Sequence, residues 1–182
     1  MTAQQPYDVL RTIGDVELRH YPVSVLAQVQ VRGAAEKAGN QAFRSLVRYI
    51  GGKNQRQESL AMTAPVLQED AAEAGLTEVG APGSDSWSVS FVLPGDGKLA
   101  DYPVPNDSAV QLVEIPAHDA AAIRWSGRWS HATVLSKTEE LEAALHRLGW
   151  RVTGPPRWAR YDPPWKPTFL RRNEVILPVD TE

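Results

Sequence analysis

Two segments of the chain alternate between apolar and polar side chains. In residues 25–31 the odd positions are Val or Ala, and Gln28 and Gln30 stand between them. Residues 87–93 alternate in the same way and end at a proline. Alternation with a period of two residues is typical of a strand with one buried face, so we predict β-strands in both places.

Two other segments repeat their apolar residues with the period of a helix. In residues 34–50 the side chains of Phe43, Leu46 and Val47 fall on one side, and two glycines follow. Residues 130–148 carry a second stripe of this kind, and a glycine follows there too. The spacing i, i+3, i+4 favours an amphipathic helix, and glycine readily ends one. We therefore predict two helices.

The order of these elements repeats after 94 residues. Residues 16–22 resemble residues 110–116, and Gly33 stands before the first helix as Gly127 stands before the second. A period this long is not that of a solenoid. The repetition instead predicts a duplicated module whose two halves close around each other, with an antiparallel sheet and two flanking helices.

The chain length of 182 residues agrees with one domain that has its own core. We predict that this domain covers residues 1–182, with repeats at about 7–94 and 108–180. An acidic surface loop is predicted at about 68–86, since this segment has five carboxylates and no lysine or arginine. A lid over a binding site is the alternative role for that loop.

Composition excludes several kinds of site. The chain has no cysteine, so it has no disulfide, thiolate metal site or cysteine nucleophile. Its net charge of -3 argues against a nucleic-acid partner, and no apolar run approaches the roughly 20 residues that span a bilayer. The polar N-terminus lacks an apolar signal core. We expect a cytoplasmic protein with no membrane partner, and a monomer in preference to an oligomer.

The sequence contains none of the common motifs for catalysis. A phosphate-binding loop, the His-Glu-x-x-His zinc motif and the Gly-x-Ser-x-Gly elbow of hydrolases are all missing. The four histidines do not have the spacing of metal ligands. We therefore do not expect an enzyme.

Three strings of residues resemble those of the SOUL heme-binding protein family. They are Glu-Leu-Arg-His-Tyr at 17–21, Ala-Met-Thr-Ala-Pro-Val at 61–66, and Tyr-Asp-Pro-Pro-Trp-Lys-Pro at 161–167, which Arg-Arg-Asn-Glu-Val follows at 171–175. They stand in the family's order and extend over nearly the whole chain. The resemblance implies an α+β fold in which a duplicated β-α-β-β module forms a distorted antiparallel β-barrel with two flanking helices. The effector-binding domains of some bacterial regulators have a similar fold.

The resemblance also implies non-covalent binding of heme or a related tetrapyrrole, for transport, buffering or sensing, with no other metal. One alternative is an effector-binding or scavenging domain for another amphipathic aromatic small molecule. A second alternative is an enzyme that acts on such a ligand, with a carboxylate such as Glu114 or Glu174 as its acid.

Heme is a flat apolar disc with two carboxylates on one edge. A binding protein needs an apolar surface, cations near the rim and, optionally, an iron ligand. His20 occupies the position at which some members of the family carry a histidine proposed as axial ligand. Neutral imidazole binds iron through one of its ring nitrogens. His20 is therefore the candidate iron ligand, and an ordinary surface histidine is the alternative.

The apolar surface of such a site is implied by the family's cleft, which lies beside the first helix. Phe43, Leu46 and Val47 would contact the ligand there, together with Met62 on the next strand. Core packing explains the same helix stripe, because burying each side chain contributes ~1.5–3 kcal/mol. We expect one edge of the stripe to pack inward and the other to border the cleft.

The rim cations implied by the resemblance are Arg48, near the end of the first helix, and Lys166, in the C-terminal string. Both can meet carboxylates, and arginine does so with two parallel hydrogen bonds. A third basic position of the family is Asn40 here, which departs from the pattern. Residues 143–172 add seven cations against one carboxylate, with three tryptophans among them. Such a surface suits an anionic aromatic ligand, and cation–π packing within the fold is the alternative.

Overall fold

The computed structural model describes residues 2–76 and 85–181. These residues form two helices and twelve strands, and ten of the strands belong to one sheet. The helices are α1 (Ala35–Ile50) and α2 (His131–Leu148), and short 3-10 turns lie at Leu99–Asp101 and Thr168–Leu170. The strands are β1 (Ala3–Gln4), β2 (Asp8–Ile13), β3 (Val16–Tyr21), β4 (Ser24–Arg32), β5 (Thr63–Ala64), β6 (Val66–Asp70), β7 (Ser86–Val92), β8 (Val110–Ile115), β9 (His118–Ser126), β10 (Arg151–Val152), β11 (Arg157–Arg160) and β12 (Arg172–Asp180).

The elements that the apolar pattern predicts are all present. β4 and β7 cover the two alternating segments, and α1 and α2 cover the two helical ones. The side chain of Ser130 accepts a hydrogen bond from the N–H of Thr133 and so caps α2. Every residue of β7 is buried, because β7 lies inside the sheet between β4 and β6 and both of its faces are covered.

The predicted acidic loop begins later than its composition indicates. β6 continues to Asp70, and Gln68 and Glu69 are buried within it. Both have partners: the amide of Gln68 donates to the backbone of α1 at 3.0 Å, and Glu69 accepts from Arg157 at 3.4 Å. Of the rest of the predicted loop, residues 77–84 lie outside the described part of the chain.

The duplication is visible in the positions of equivalent elements. β3 and β8 begin 94 residues apart, and so do β4 and β9. Gly33 and Gly127 have φ angles of 118° and 126° at the same point before each helix. This left-handed region favours glycine, so both halves need a glycine at the equivalent turn.

The two halves are joined by an exchange of two equivalent strands, β3 and β8. The strand order is β2-β3-β9-β12-β11-β6-β7-β4-β8, and β10 pairs with the end of β12. β3 of the first half therefore pairs with β9 of the second, and β8 of the second half pairs with β4 of the first. Within the described residues the sheet does not close, so the predicted distorted barrel is an open cup.

Both helices lie on one side of the sheet, which we call the helix face. α1 packs on β4, β7 and β8, while α2 packs on β9, β10 and β12. These contacts bury the main core. One buried cross-strand row on the helix face consists of Val110, Val29, Val89, Gln68, Trp158, Val175, Ile123 and Val16.

The opposite face of the sheet buries a pair of opposite charges. Arg19 and Glu174 are 2% and 0% exposed, and two hydrogen bonds of 2.7 and 3.0 Å join them. Glu174 also accepts from Tyr161 at 3.0 Å and from Arg172 at 2.7 Å. Burial raises the pKa of Glu174, but the hydrogen bonds and charges of the two arginines outweigh it and hold the pKa below its ordinary value. Glu174 is therefore an ionised structural carboxylate.

We expect Glu174→Gln to lower the free energy of unfolding by about 3–5 kcal/mol, because it removes the fully buried carboxylate that Arg19 and Arg172 share. Glu17→Gln is the matched control, since Glu17 also pairs with Arg19 at 2.7 Å but its side chain is 36% exposed. That control should lose at most about 1 kcal/mol. Urea denaturation measures both changes, and equal losses would contradict the role given to Glu174.

The same network predicts a pH dependence of stability. The pKa of Glu174 is lower in the folded protein than in the unfolded chain. Its contribution to the free energy of unfolding is therefore complete above the pKa that Glu174 has in the unfolded chain. That contribution is lost as the pH falls through the pKa of Glu174 in the folded protein. In Glu174→Gln the loss of unfolding free energy at acidic pH that comes from this carboxylate should be absent, and urea denaturation at several pH values measures it.

Candidate functional site

The apolar stripe predicted on α1 divides into a buried part and an exposed part. Leu46 is fully buried in the core, whereas Phe43 and Val47 are 48% and 36% exposed. Phe43 and Val47 are four residues apart and so share one edge of the helix. Large apolar side chains that stay exposed together mark a surface that a ligand can cover.

Strands β6, β7 and β11 run beside this exposed edge of the helix. On the helix face Phe91, Val66 and Arg160 are direct cross-strand neighbours in one row. The ring of Phe43 lies against this row, with its centroid 5.9 Å from that of Phe91. We call the surface formed by Phe43, Val47, Met62, Val66 and Arg160 the α1 edge.

Met62 belongs to the α1 edge because the chain turns back beside the end of α1. The N–H of Leu60 donates to the C=O of Ile50 at 2.7 Å, and this bond fixes the return of the chain. Met62 follows two residues later, and its half-buried side chain packs against the main core. Met62 therefore follows two residues after the point at which the chain contacts the end of α1.

The predicted rim cations lie on two different segments. Arg48 is exposed in the last turn of α1, rotated by about 100° from Val47 toward solvent. Lys166 lies in the loop that leaves β11 directly after Arg160, and its ammonium donates to Asp162 at 2.6 Å. The side chains of Lys166 and Asp162 are 37% and 17% exposed, and Asp162 also accepts from the N–H of Arg172 at 2.6 Å, so Asp162 keeps a second partner if Lys166 turns to a ligand carboxylate.

The loop that carries Lys166 also exposes two aromatic side chains. Trp165 is 83% exposed and Phe169 is 74% exposed. The loop joins β11 to β12, and its base is held by a hydrogen bond from the N–H of Tyr161 to the C=O of Arg172 at 3.2 Å. It therefore adds uncovered apolar surface next to the rim position of Lys166.

His20 lies in a different part of the sheet from the α1 edge. It is on β3, and β9, β12 and β11 separate β3 from β6. Its Nδ1 lies 2.7 Å from Oδ1 of Asp119, and its side chain is 44% exposed. The bond to Asp119 occupies Nδ1, so Nε2 is the ring nitrogen that remains for iron. The structure does not bring His20 together with the other six predicted site residues.

Val66 and Arg160 complete the α1 edge and are not among the residues predicted from sequence. Arg160 is one of the seven cations in residues 143–172, which we call the basic segment. The composition of that segment does not show which of its cations faces α1. The register of β11 against β6 shows it, because Arg160 pairs with Val66. Asn40, at the family's third basic position, is exposed on α1.

The described residues show no ready metal site. Across 2–76 and 85–181, no cluster of three or more His, Asp or Glu side chains is arranged to hold a metal ion. In the same parts of the chain, neither helix combines the length and apolarity needed to cross a bilayer.

A small pocket lies between the N-terminal segment, the turn that joins β3 to β4, and the end of β7. Its volume is about 100 Å³, which is below the ~300–1,000 Å³ of typical small-molecule pockets. Its lining includes Pro6, Ser24, Thr63, Val92 and Pro94. It is too small for a tetrapyrrole, so the open α1 edge is the better candidate surface.

A duplicated α+β module with an uncovered apolar edge defines the class as a ligand-binding fold. The family model described as SOUL heme-binding protein matches residues 2–178. The chain belongs to the SOUL heme-binding protein family, as the three sequence strings predict.

Curated relatives agree with this family. Heme-binding protein 1 of Xenopus tropicalis is 27% identical over 166 residues, which cover 87% of this chain and 80% of that protein. Heme-binding protein 1 of Mus musculus is 28% identical over 183 residues, which cover 94% of this chain and 90% of that protein. Both relatives are named for heme binding, and their identity to this chain is modest.

Solved structures show the same fold at low sequence identity. The C-terminal domain of EcmrR matches with a TM-score of 0.68 and 14% identity over 97% of this chain and 99% of that one. A hydrolase from Listeria innocua matches with a TM-score of 0.56 and 16% identity over 94% of each chain. EcmrR has also been solved in complex with DNA, so the predicted likeness to a regulator domain holds for the fold.

We expect Leu46→Ala and Val47→Ala to differ strongly in stability. Leu46 is fully buried, so its truncation should lower the free energy of unfolding by about 2–5 kcal/mol. Val47 is partly in solvent, and its truncation should change that free energy by no more than about 0.5 kcal/mol. Urea denaturation of the two variants measures the difference. Similar losses would mean that the stripe is buried on both sides and that the α1 edge is not open.

Proposed function

We propose that this protein binds heme or a related tetrapyrrole reversibly at the α1 edge. The observation that carries the proposal is the exposed pair of Phe43 and Val47 beside a buried helix stripe. Membership of the SOUL heme-binding protein family supports a tetrapyrrole as the ligand. The apolar disc would lie against Phe43, Val47 and Met62, and covering each of them contributes at most ~1.5–3 kcal/mol.

The rim of the disc would meet the exposed Arg48 and the half-buried Lys166. Lys166 would exchange Asp162 for a ligand carboxylate, and Arg48 would add a second positive charge from α1. Leu46 would support the site from within the core rather than touch the ligand, because it is fully buried. The exposed Trp165 would offer a further aromatic face beside Lys166.

We propose binding without chemistry, in a transport, buffering or sensing role. A tetrapyrrole held at the α1 edge depends on apolar contact and rim charges, with no histidine among the edge residues. Such binding suits release to a partner better than permanent retention of a prosthetic group. The predictions of a cytoplasmic, monomeric, single-domain protein without a nucleic-acid or membrane partner are retained in this proposal.

Hemin titration tests the site. We expect the wild type to shift the Soret band and to saturate near one equivalent. Val47→Glu puts a carboxylate on the α1 edge, and it should weaken binding by about tenfold or more, because that charge loses water and repels the ligand carboxylates. Leu135→Glu is the matched control, since Leu135 is 45% exposed on α2 and the substitution adds the same charge. It should bind hemin as the wild type does.

The same titration tests the predicted iron ligation by His20. Because His20 lies on β3, we expect His20→Ala to leave the Kd and the Soret band unchanged. An altered Soret band in His20→Ala, with Val47→Glu unaffected, would place the ligand at β3 and contradict the α1 edge. A wild type that leaves the hemin spectrum unchanged at every ratio would contradict tetrapyrrole binding itself.

A further inference from the structure

Arg160 is partly buried and has no carboxylate partner among the described residues, in contrast to most cations of residues 143–172. Four of those cations pair with carboxylates, as Arg151 with Asp180, Arg157 with Glu69, Lys166 with Asp162 and Arg172 with Glu174. Arg171 is also partly buried, but it donates to two backbone carbonyls of its own loop, and Arg147 is exposed on α2. The charge of Arg160 therefore has no carboxylate to compensate it among the described residues.

The only side-chain acceptor recorded for Arg160 within the described chain is a neutral amide. Its Nη2 donates to Oε1 of Gln68 at 2.7 Å, which leaves most of the five guanidinium N–H groups for other acceptors. Burial lowers the pKa of Arg160 to about 10, so the group stays charged at neutral pH. A charge partly removed from water without a counter-ion is unfavourable, and an anion from solution would relieve it.

Gly39 shows that the guanidinium lies directly beneath α1. A Cβ built on Gly39 would stand 2.6 Å from Nη2 of Arg160, so a larger residue at this position would displace the guanidinium. Gly39 and Phe43 are four residues apart and so lie on the same side of α1. The uncompensated charge therefore sits under the first part of the exposed helix edge, one turn before Phe43.

Trp129 adds a second unsatisfied donor beside Arg160. The guanidinium carbon lies 4.4 Å from the centroid of the Trp129 ring. The indole N–H of Trp129 is buried and has no acceptor within the described residues. A buried donor without a partner is unfavourable by about the desolvation of that group, so an acceptor that reaches the indole N–H would be stabilised there.

We infer that Arg160, assisted by the indole N–H of Trp129, anchors one carboxylate of the ligand at the inner end of the α1 edge. The inference rests on the proposed function and makes it more specific, because it requires an acidic ligand rather than any apolar disc. Arg160 is thus a specificity-determining residue, while Lys166 remains at the outer rim. The aromatic face of the ligand would continue from Arg160 along Phe43 and Val47.

The test compares protoporphyrin IX with its dimethyl ester, which has the same disc without the two negative charges. We expect the wild type to prefer the diacid by about ten- to a hundredfold, the usual strength of hydrogen bonds to a charged group. Arg160→Met removes the donor but keeps the length of the side chain, and it should lower this preference about threefold or more, to the part that Lys166 and Arg48 still supply. Arg147→Met is the control, because it removes an equal charge from an exposed site on α2.

A second variant tests the position of the guanidinium without removing it. Gly39→Ala should displace Arg160 and lower the diacid preference, while the alanine favours the helix and leaves the fold intact. Thermal unfolding of each variant checks that the fold is retained.

The outcomes separate this inference from the proposed function. An unchanged diacid preference in Arg160→Met would overturn the role of Arg160 and leave tetrapyrrole binding standing. Equal wild-type affinity for diacid and ester would overturn it as well. A wild type that binds neither porphyrin would defeat the proposed function, and this inference with it.

Discussion

Neither half of this protein can complete its sheet alone, because β3 and β8, which are equivalent strands of the two halves, each pair with a strand of the other half. β3 lies on β9, and β8 lies on β4. This exchange places β6 and β11 side by side at the centre of the sheet and sets α1 and α2 apart on one face. The exposed edge of α1, with the row of Val66 and Arg160 beside it, is a direct consequence of that arrangement.

The two halves share a scaffold but differ in their chemistry. On the face opposite the helices, Glu174 pairs across the sheet with Arg124, and Ser88 pairs at the equivalent place with Gln30. Val113 stands 94 residues after Arg19, at the equivalent place in β8. The buried ion pair therefore joins Arg19 of the first half to Glu174 of the second, and a valine and a serine stand at the equivalent two positions. Duplication explains the backbone, whereas the charged network occurs at one of the two equivalent places in the sheet.

The local sequence pattern predicts the secondary-structure elements and the family. It does not predict which side chains form the exposed surface of the α1 edge. Alternation and helical spacing predict β4, β7, α1 and α2, because these depend on which side chains one element buries. The same spacing treats Leu46 and Val47 alike, since only the neighbouring strands decide which edge of α1 is covered. The contact between Arg19 and Glu174 joins residues 155 positions apart, and no local pattern contains it.

The location of the ligand is the central claim, and amide NMR with bound hemin tests it most directly. The iron broadens nearby amide signals, and zinc protoporphyrin serves as the diamagnetic control. The account predicts selective loss of signals from Phe43, Val47, Val66 and Arg160, with His20 unaffected. Loss of signals around His20, with the α1 edge unchanged, would contradict it.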